Sequence, residues 1–315
     1  MNEAQPVLAL SGGVGGAKLA LGLYRVLPPD TLTVVANTGD DFEHLGLSIS
    51  PDLDTLLYTL SGQANAELGW GRQGETWTFM TALEKLGGET WFRLGDGDLA
   101  THVERTRRLA AGESLSAIID DFRHRSGIAA VLLPMSDDRV RTRLDTDRGQ
   151  LDFQDYFVRL RCEPRVRRLE FVGGEAARPQ RDFLAALGDP KLRAVVICPS
   201  NPFISIDPIL CVPGVREALR LCQAPVVAVS PIIGGRAVKG PTAKMMEELG
   251  LPVEAAAVAR YYRDFLDLYI ADEADRDAVG ELDIPTVLAP TLMVTLEDRE
   301  ALARSVLNAA DHARR

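Results

Sequence analysis

The segment VLALSGGVGGAKLALGL, residues 7–23, decides how the chain begins to fold. Its apolar start, residues 7–13, runs into glycines, which predicts a buried strand that ends in a tight turn. From Leu19 to Leu27 apolar residues recur at helical spacing, and Pro28 ends the pattern. A strand, a glycine turn and a helix in direct succession are typical of an α/β protein.

The same alternation of apolar runs and helical patterns continues along the chain. Ser50 and Pro51 are expected to cap and begin a second helix, and another helix is predicted around 114–125. Further strands are predicted in LTVVANTGDD (32–41), IAAVLLP (128–134), AVVICPS (194–200) and PVVAVSP (225–231). Strands that alternate with helices indicate a mostly parallel, twisted sheet. Such sheets bind their ligands at the carboxyl ends of the strands.

The pattern changes between residues 138 and 175. Polar and apolar residues alternate there, arginines are interleaved, and Asp-Arg-Gly is a turn signal. This pattern predicts a small antiparallel β insertion rather than another crossover. Because the sequence has no internal repeat, low-complexity tract or long linker, we expect residues 1–315 to form a single α/β domain that contains this insertion.

The composition restricts the class of protein. A formal net charge of −10 argues against a nucleic-acid-binding protein with a broad basic surface. The four cysteines lack the Cys-x-x-Cys spacing of metal and redox sites, so we expect reduced thiols in a cytoplasmic protein. No apolar stretch reaches the roughly 18 residues of a membrane span. We therefore expect no membrane partner.

The glycine turn resembles two known phosphate-binding loops without matching either. Gly12, Gly13 and Gly15 stand between strand and helix, where backbone amides can approach a phosphate. A dinucleotide-binding loop needs glycine or alanine at Lys18, and the second strand ends in Asn37 rather than in a ribose-binding acid. We interpret the loop as a phosphate-type site. The alternative is a turn whose glycines only allow close packing.

Five carboxylates fall within NTGDDFEHLGLSISPDLDT, residues 37–55. Asp40 and Asp41 follow the second strand, whereas Asp52 and Asp54 lie two apart in a predicted helix and should point to different sides. One of the latter two is expected to offset the helix dipole while the other faces the cleft. The carboxylates are either solvated caps or a site for a cation.

Other predicted strand ends also carry polar residues. Ser200 and Asn201 follow the strand at 194–200, and Lys239 and Gly240 belong to a glycine-bearing loop after the strand at 225–231. Lysines beside flexible backbone are suited to phosphate, although chance placement is the alternative. The tryptophans Trp70, Trp77 and Trp91 lie near one another in sequence and favour either a platform for a flat ring or a small satellite core.

Together these motifs resemble the 2-phospho-L-lactate transferase family of coenzyme F-420 biosynthesis. The resemblance rests on SGGVGGAKLALGL, NTGDDFEHLGLSISPDLDTLLYTLSG, FRLGDGDLATH, LPMSDD, PSNPFISI and SPIIGGRAVKGPTAK, and it runs from about residue 8 to 275. It implies a Rossmann-like core with helices on both faces of the sheet, a homodimer and Mg²⁺ dependence. It also implies transfer of a phosphate-linked acid from a guanosine diphospho donor to the ribityl hydroxyl of the deazaflavin Fo, releasing GMP.

The resemblance also implies roles for particular residues. Asp54 matches a position that contacts Fo, and Arg93 matches a second one where relatives carry lysine. Asp40, Asp41 and Asp54 are the expected Mg²⁺ ligands, because Mg²⁺ prefers carboxylates together with substrate phosphates. Asp40 and Asp54 are the expected catalytic residues, and an aspartate aligns or deprotonates the hydroxyl. Lys18 or Lys239 would neutralise charge that develops on the phosphate.

The residues expected to bind substrate are the glycine loop and the polar strand ends: Gly12, Gly13, Gly15, Lys18, Asn37, Asp54, Arg93, Ser200, Asn201, Lys239 and Gly240. Which acid the donor carries is left open among phospholactate, phosphoenolpyruvate and phosphoglycerate. The first alternative function is a sugar-nucleotide-binding regulator of the gluconeogenesis-factor type, which Phe42-Glu43-His44 after the acids disfavours. The second is a nicotinamide oxidoreductase, which Lys18 and Asn37 disfavour.

Overall fold

The chain is described by a computed structural model that covers residues 5–65, 71–238 and 240–313. Its strands are β1 (Val7–Ser11), β2 (Leu32–Ala36), β3 (Phe42–His44), β4 (Leu47–Ile49), β5 (Val131–Pro134), β6 (Arg141–Thr146), β7 (Gly149–Asp152), β8 (Val166–Val172), β9 (Ala194–Ile197), β10 (Val226–Val229), β11 (Ile232–Ile233), β12 (Arg236–Ala237), β13 (Leu268–Ala271) and β14 (Thr286–Leu288).

The α-helices are α1 (Gly13–Val26), α2 (Pro51–Leu60), α3 (Thr78–Lys85), α4 (Asp96–Ala110), α5 (Leu115–Arg125), α6 (Arg181–Leu187), α7 (Asp207–Leu210), α8 (Val215–Leu221), α9 (Thr242–Glu248), α10 (Ala255–Tyr261), α11 (Arg276–Val279) and α12 (Leu296–Ala313). Two π-helical turns, Asp155–Arg159 and Pro202–Ile206, and two 3₁₀ turns, Gly174–Ala176 and Glu273–Asp275, complete the regular structure of the described residues. In this part of the chain no helix is both long enough and apolar enough to cross a membrane.

The centre of the fold is a seven-stranded sheet in the order β14-β13-β10-β9-β1-β2-β5. All of its neighbouring strands pair in parallel. From β1 the chain moves outward to β2 and β5, and it then returns to the other side of β1 with β9. The strand order therefore reverses between β1 and β9, and a crevice for ligands opens at such a switch point.

Alternating side chains of the strands build a core on each face of the sheet. Leu8 and Leu10 belong to one buried cluster, whereas Val7 and Ala9 belong to the other. Helices α1, α2 and α12 pack on the second face, and the close pairing of α1 with α12 passes over Gly22, which has no room for a side chain. The predicted mostly parallel α/β sheet with helices on both faces is confirmed.

The antiparallel insertion is also confirmed. Strands β6, β7 and β8 form a separate three-stranded sheet in the order β7-β6-β8, with both pairings antiparallel. It lies within the predicted range 138–175, and the turn between β6 and β7 falls at Asp147-Arg148. The chain then makes the π-helical turn Asp155–Arg159 before β8 begins. That residues 1–315 form a single domain stays a prediction.

The acidic stretch 37–55 contains more structure than its turn-forming residues indicate. Strands β3 and β4 form a small hairpin, with Leu45 and Gly46 at positive φ in its turn. Helix α2 then begins at Pro51, as predicted. Ser50 stands at the cap position, but its hydroxyl donates to Asp41 Oδ2 (2.7 Å) rather than capping its own helix.

Candidate active site

A cavity of about 700 Å³ lies at the carboxyl ends of the central strands. The loops that follow β1, β9, β10 and β14 form part of its wall, and the first turn of α2, the start of α4 and residues 153–158 of the insertion also contribute to it. The sequence-predicted residues that line it are Gly12, Gly13, Gly15, Lys18, Asp40, Asp54, Arg93, Ser200, Asn201 and Gly240. Asn37 and Asp41 are buried and lie outside the lining. Lys239 lies outside the described residues.

The glycine loop is packed tightly against the segment after β9. A Cβ atom on Gly12 would lie 2.5 Å from Ser205 Cβ, and one on Gly15 would lie 2.6 Å from the carbonyl oxygen of Pro199. Gly13 has φ +67°, a conformation that glycine adopts without strain. The glycines therefore bring the start of α1 close to residues 199–205, and this close packing is one function of the motif.

The start of α1 is occupied by a side chain of this protein. Asp52 Oδ1 accepts a hydrogen bond from Gly13 N (2.6 Å), the first residue of α1. Asp52 Oδ2 accepts from Asn37 Nδ2 (3.0 Å), and the same amide nitrogen donates to Asp40 Oδ1 (2.8 Å). Asp52 and Asp54 both line the cavity, so the expectation that only one of them faces the cleft is wrong, and Asp52 lies beside Asp40.

Asp40 and Asp52 form a buried acidic pair. Each is less than one-tenth exposed, at 8% and 6%. Burial, and then repulsion from Asp52 and Asp41, raises the pKa of Asp40 well above its usual range. Burial raises the pKa of Asp52 to about 6, although hydrogen bonds from Asn37 and Gly13 oppose the shift. Two carboxylates held by one amide form a site where added positive charge is favourable.

Asp41 is buried behind this pair and does not line the cavity. Its Oδ2 accepts from Ser50, and its buried Oδ1 has no hydrogen-bond partner among the described residues. Burial raises the pKa of Asp41 to about 7, although Arg141, the Ser50 hydroxyl and Arg105 oppose the shift. The structure thus places Asp40 at the cavity and Asp41 beneath it, although the two residues are adjacent in sequence.

Asp54 faces a different helix. Arg105 of α4 reaches both of its oxygens: Nη2 contacts Oδ1, and Nη1 donates to Oδ2 at 3.1 Å. His102 Nδ1 lies 3.7 Å from Asp54 Oδ2, and His102 Nε2 lies 3.1 Å from Asp98 Oδ2 without a well-aligned hydrogen bond. Tyr58 of α2 donates to Asp98 Oδ1 (2.6 Å). A connected polar network therefore joins α2 to α4 beneath one end of the cavity.

Asp54, Asp98 and His102 also bring potential metal ligands together, since one ligand atom of each lies within 4.8 Å of the others. Burial raises the pKa of Asp98, but contacts with His102 and the Tyr58 hydroxyl outweigh it and leave the pKa lowered. The guanidinium of Arg105 already supplies positive charge to Asp54. Among the described residues no guanidinium donates a hydrogen bond to Asp40 or Asp52, so these two carboxylates are better suited to a divalent cation.

One end of the cavity is aromatic. Trp91 and Phe92 line it from the segment before α4, and Phe153 and Phe157 line it from the insertion, with the latter two rings stacked at 5.3 Å. Trp91 and Phe92 also pack on Phe42, so the platform and the satellite core are parts of one cluster. Such walls are suited to a flat ring system.

Arg93 stands at the edge of the aromatic end. Its guanidinium lies 4.2 Å from the centre of the Trp77 ring, a cation–π arrangement that holds the exposed side chain at the cavity. Its planar group stacks in a way that the point charge of a lysine does not. Trp77 therefore provides a physical reason for arginine at this position. Trp70 lies outside the described residues.

Three more predicted residues have structural contacts in the opposite part of the wall. Lys18 Nζ donates to the carbonyl oxygen of Met293 (2.7 Å). Ser200 Oγ accepts from Gly12 N (3.1 Å), and Asn201 Oδ1 accepts from Phe203 N (2.9 Å) at the start of a π-helical turn. Each side chain thus shapes the loops that form the cavity.

Sequence reasoning missed Asp98, His102 and Arg105. They lie at positions i, i+4 and i+7 of α4, so they share one face of that helix. His102 and Arg105 are buried, at 1% and 0% exposure. In the sequence these three residues form a polar stripe at helical spacing. That the stripe is buried could not be predicted from spacing, because its burial depends on the packing of α4 against α2. The lining residues of the insertion, Phe153 and Phe157, were likewise missed.

Comparison with known proteins shows close relatives along the whole chain. A phosphoenolpyruvate transferase of Streptomyces griseus is 41% identical over 317 residues, covering 98% of this chain and 99% of the relative. A 2-phospho-L-lactate transferase of Methanosarcina mazei is also 41% identical, over 306 residues, covering 96% of this chain and 100% of the relative. The predicted family resemblance is confirmed, and the regulator is not favoured.

The fold has a solved counterpart. A crystal structure of a UPF0052-family protein from Bacillus halodurans superimposes with a TM-score of 0.64 and covers 98% of this chain and 100% of the other. At 15% sequence identity, this likeness shows a shared fold. The profile of the family described as 2-phospho-L-lactate transferase CofD matches residues 7–284. The chain therefore belongs to the 2-phospho-L-lactate transferase CofD family, whose curated relatives are transferases.

Proposed function

We propose that this protein transfers a phospho-acid group from a guanosine diphospho donor to the ribityl hydroxyl of the deazaflavin Fo, releasing GMP. The observation that carries the proposal is the position of the first turn of α2. Through Asp52 this turn contacts the start of α1, and through Asp54 it contacts α4, while both residues line the same cavity. One short element thus connects a site suited to phosphate with the neighbourhood of an aromatic wall.

The donor and the acceptor need different chemical groups, and side chains and amides of both kinds line the cavity. The Gly13 amide donates to Asp52, so the following amides in the first turn of α1, together with the ammonium group of Lys18, would bind a diphosphate. Trp91, Phe92 and Phe157 provide a wall for the flat deazaflavin ring. A homodimer and a cytoplasmic location, expected from the sequence, stay predictions.

The chemistry of Asp40 and Asp52 fits Mg²⁺. Both present hard oxygen atoms, both line the cavity, and burial raises the pKa of each carboxyl. Mg²⁺ is usually bound by one or two carboxylates together with substrate phosphates. These two side chains would hold the ion, and when bound it supplies positive charge to the phosphate oxygens. Asp41 would support the pair from behind.

The reaction is an in-line displacement at the outer phosphorus of the donor. The ribityl oxygen forms a bond to this phosphorus, the bond to the bridging oxygen of the diphosphate breaks, and GMP leaves with that oxygen. The hydroxyl proton passes to a carboxylate or to solvent. Asp54, fixed by Arg105, accepts the hydroxyl hydrogen bond and orients the oxygen. Lys18 would bind the phosphate whose charge increases.

The acid on the donor is a separate question. The relatives named for phosphoenolpyruvate and for 2-phospho-L-lactate match this chain with the same identity, 41%. Overall similarity therefore favours neither acid, and both donors belong in the test.

Mass spectrometry of products tests the proposal. The chain is incubated with Fo, Mg²⁺ and, in separate reactions, the phosphoenolpyruvyl, the phospholactyl or the phosphoglyceryl guanosine donor. We expect Fo to gain the mass of one phospho-acid group and GMP to form in equal amount with at least one donor. Unchanged Fo with every donor, under conditions where a curated relative gives product, would contradict the proposed function.

A further inference from the structure

We propose that Arg105 is a positioning residue, which orients Asp54 toward the acceptor hydroxyl through a two-pronged contact. The inference rests on the proposed function, in which Asp54 contacts Fo. It adds a residue that touches no substrate itself, because Arg105 is fully buried and does not line the cavity.

The contact between Arg105 and Asp54 is buried and two-pronged. Both terminal nitrogens of the guanidinium reach the carboxylate, one to each oxygen of Asp54. The Nη1 atom also lies 3.3 Å from the carbonyl oxygen of Ser48 and 3.3 Å from His102 Nδ1. An arginine with no solvent exposure is rare unless it is paired, and here both terminal nitrogens pair with the Asp54 carboxylate.

These contacts also determine which acceptor positions of the Asp54 carboxylate remain available for a substrate. A carboxylate has about four lone-pair positions, and a guanidinium fork occupies two of them. Asp54 is 5% exposed and lines the cavity, so its remaining acceptor positions are limited to a narrow range of directions. A hydroxyl bound there would be held at a set angle, which is what an in-line displacement requires.

The contact also fixes the helices to each other. Asp54 lies in the first turn of α2, and Arg105 lies 51 residues later in α4. The Ser48 carbonyl group belongs to β4, the strand that precedes α2. Arg105 thus joins three elements at the point where the acceptor would bind.

A simpler role is possible for the same residue, namely to neutralise a buried carboxylate. Lysine would serve that role, because it keeps the charge, but it presents a single ammonium instead of a planar fork. Arg105→Lys therefore separates neutralisation from orientation. Arg107 of the same helix is exposed and pairs with Glu104, so Arg107→Lys is the matched control.

The test measures the affinity for Fo by its fluorescence, without donor, in the full-length wild type, Arg105→Lys, Arg107→Lys and Asp54→Asn. We expect Arg107→Lys to match the wild type. For Arg105→Lys we expect the Kd for Fo to rise about tenfold or more, with a native circular dichroism spectrum. In a separate turnover assay, we expect its KM for the donor to change by less than about twofold. Equal Kd values for Arg105→Lys and the wild type, with a weakened Asp54→Asn, would overturn the inference.

If Arg105→Lys does not fold, a second comparison tests whether Arg105 acts through Asp54. Asp54→Asn is compared with the double variant Asp54→Asn/Arg105→Gln, which removes both charges of the pair. If Arg105 acts only through Asp54, the two variants bind Fo equally, because replacing Arg105 has no further effect on the Kd once the Asp54 carboxylate is absent. A Kd at least tenfold higher in the double variant would overturn the inference. Failure of the wild type itself to bind Fo would instead overturn the proposed function, and the inference with it.

Discussion

Asp52 Oδ1 accepts a 2.6 Å hydrogen bond from the backbone amide of Gly13, 39 residues earlier in the chain. Gly13 is the first residue of α1, where the helix dipole favours an anion. The protein thus places its own carboxylate at the position where a phosphate would bind. A phosphate that approached this helix would meet Asp52 and Asp40, and under the proposed function a bound cation would offset the repulsion.

Divalent cations are therefore expected to stabilise the complex with nucleotide. A ligand present at 100 times its Kd adds about 2.7 kcal/mol to the free energy of unfolding. We expect Mg²⁺ with GDP to raise the Tm by several degrees more than GDP alone, and Asp52→Asn to remove the additional shift. Asp152→Asn, which lies on the insertion and pairs with Arg143, should retain it. An additional shift that is equal in Asp52→Asn and the wild type would contradict this expectation.

The two expected catalytic carboxylates can be tested by isosteric amides. Loss of a preorganised electrostatic contact in the transition state costs roughly 10²–10³ in rate. We expect Asp40→Asn and Asp54→Asn each to give folded protein with turnover reduced at least tenfold. Circular dichroism and steady-state kinetics on the same samples make the measurement. Wild-type rates in both variants would remove the assignment.

The glycine loop yields a prediction about stability. Because a Cβ on Gly15 would lie 2.6 Å from a backbone oxygen of residue Pro199, Gly15→Ala forces the two loops apart. Overpacking of this kind typically costs about 1–3 kcal/mol. We expect the Tm of Gly15→Ala to fall by at least about 2 °C. Gly280→Ala is the control, since its nearest atom would be 3.5 Å away, and its Tm should match that of the wild type.

The buried acids predict how stability depends on pH without metal. Burial raises the pKa of Asp41 from 3.8 to about 7, so the folded chain keeps a proton that the unfolded chain loses between these values. The contribution of this group is fully present below about pH 4 and decreases as pH rises toward 7, by about 1.4 kcal/mol per pH unit at most. We expect the Tm of Asp41→Asn to rise relative to the wild type between pH 5 and pH 8. A constant difference would show that Asp41 does not titrate in this range.

Local patterns were sufficient to predict much of the fold. The strand, glycine turn and helix at 7–26, the start of α2 at Pro51 and the change to alternation in 141–172 each depend on residues that are close in sequence. Periodicity and turn chemistry are local signals, and the structure confirms the fold that they predict.

The site was only partly predictable for the opposite reason. Arg105 and Asp54 are 51 residues apart, and Asp52 meets Gly13 across 39 residues. Such pairings depend on how helices pack on the sheet, which residue spacing does not determine. Spacing correctly indicated that Asp52 and Asp54 point to different sides, but both sides turned out to face the one cavity.

Anomalous X-ray scattering from a crystal that contains Mn²⁺, GDP and Fo tests the central claim most directly. We expect a Mn²⁺ peak that contacts the Asp40 and Asp52 carboxylates and the diphosphate, with the ribityl hydroxyl of Fo within hydrogen-bond distance of Asp54. A complex in which nucleotide and Fo are bound but the metal lies away from both Asp40 and Asp52, or Fo lies away from Asp54, would contradict the account.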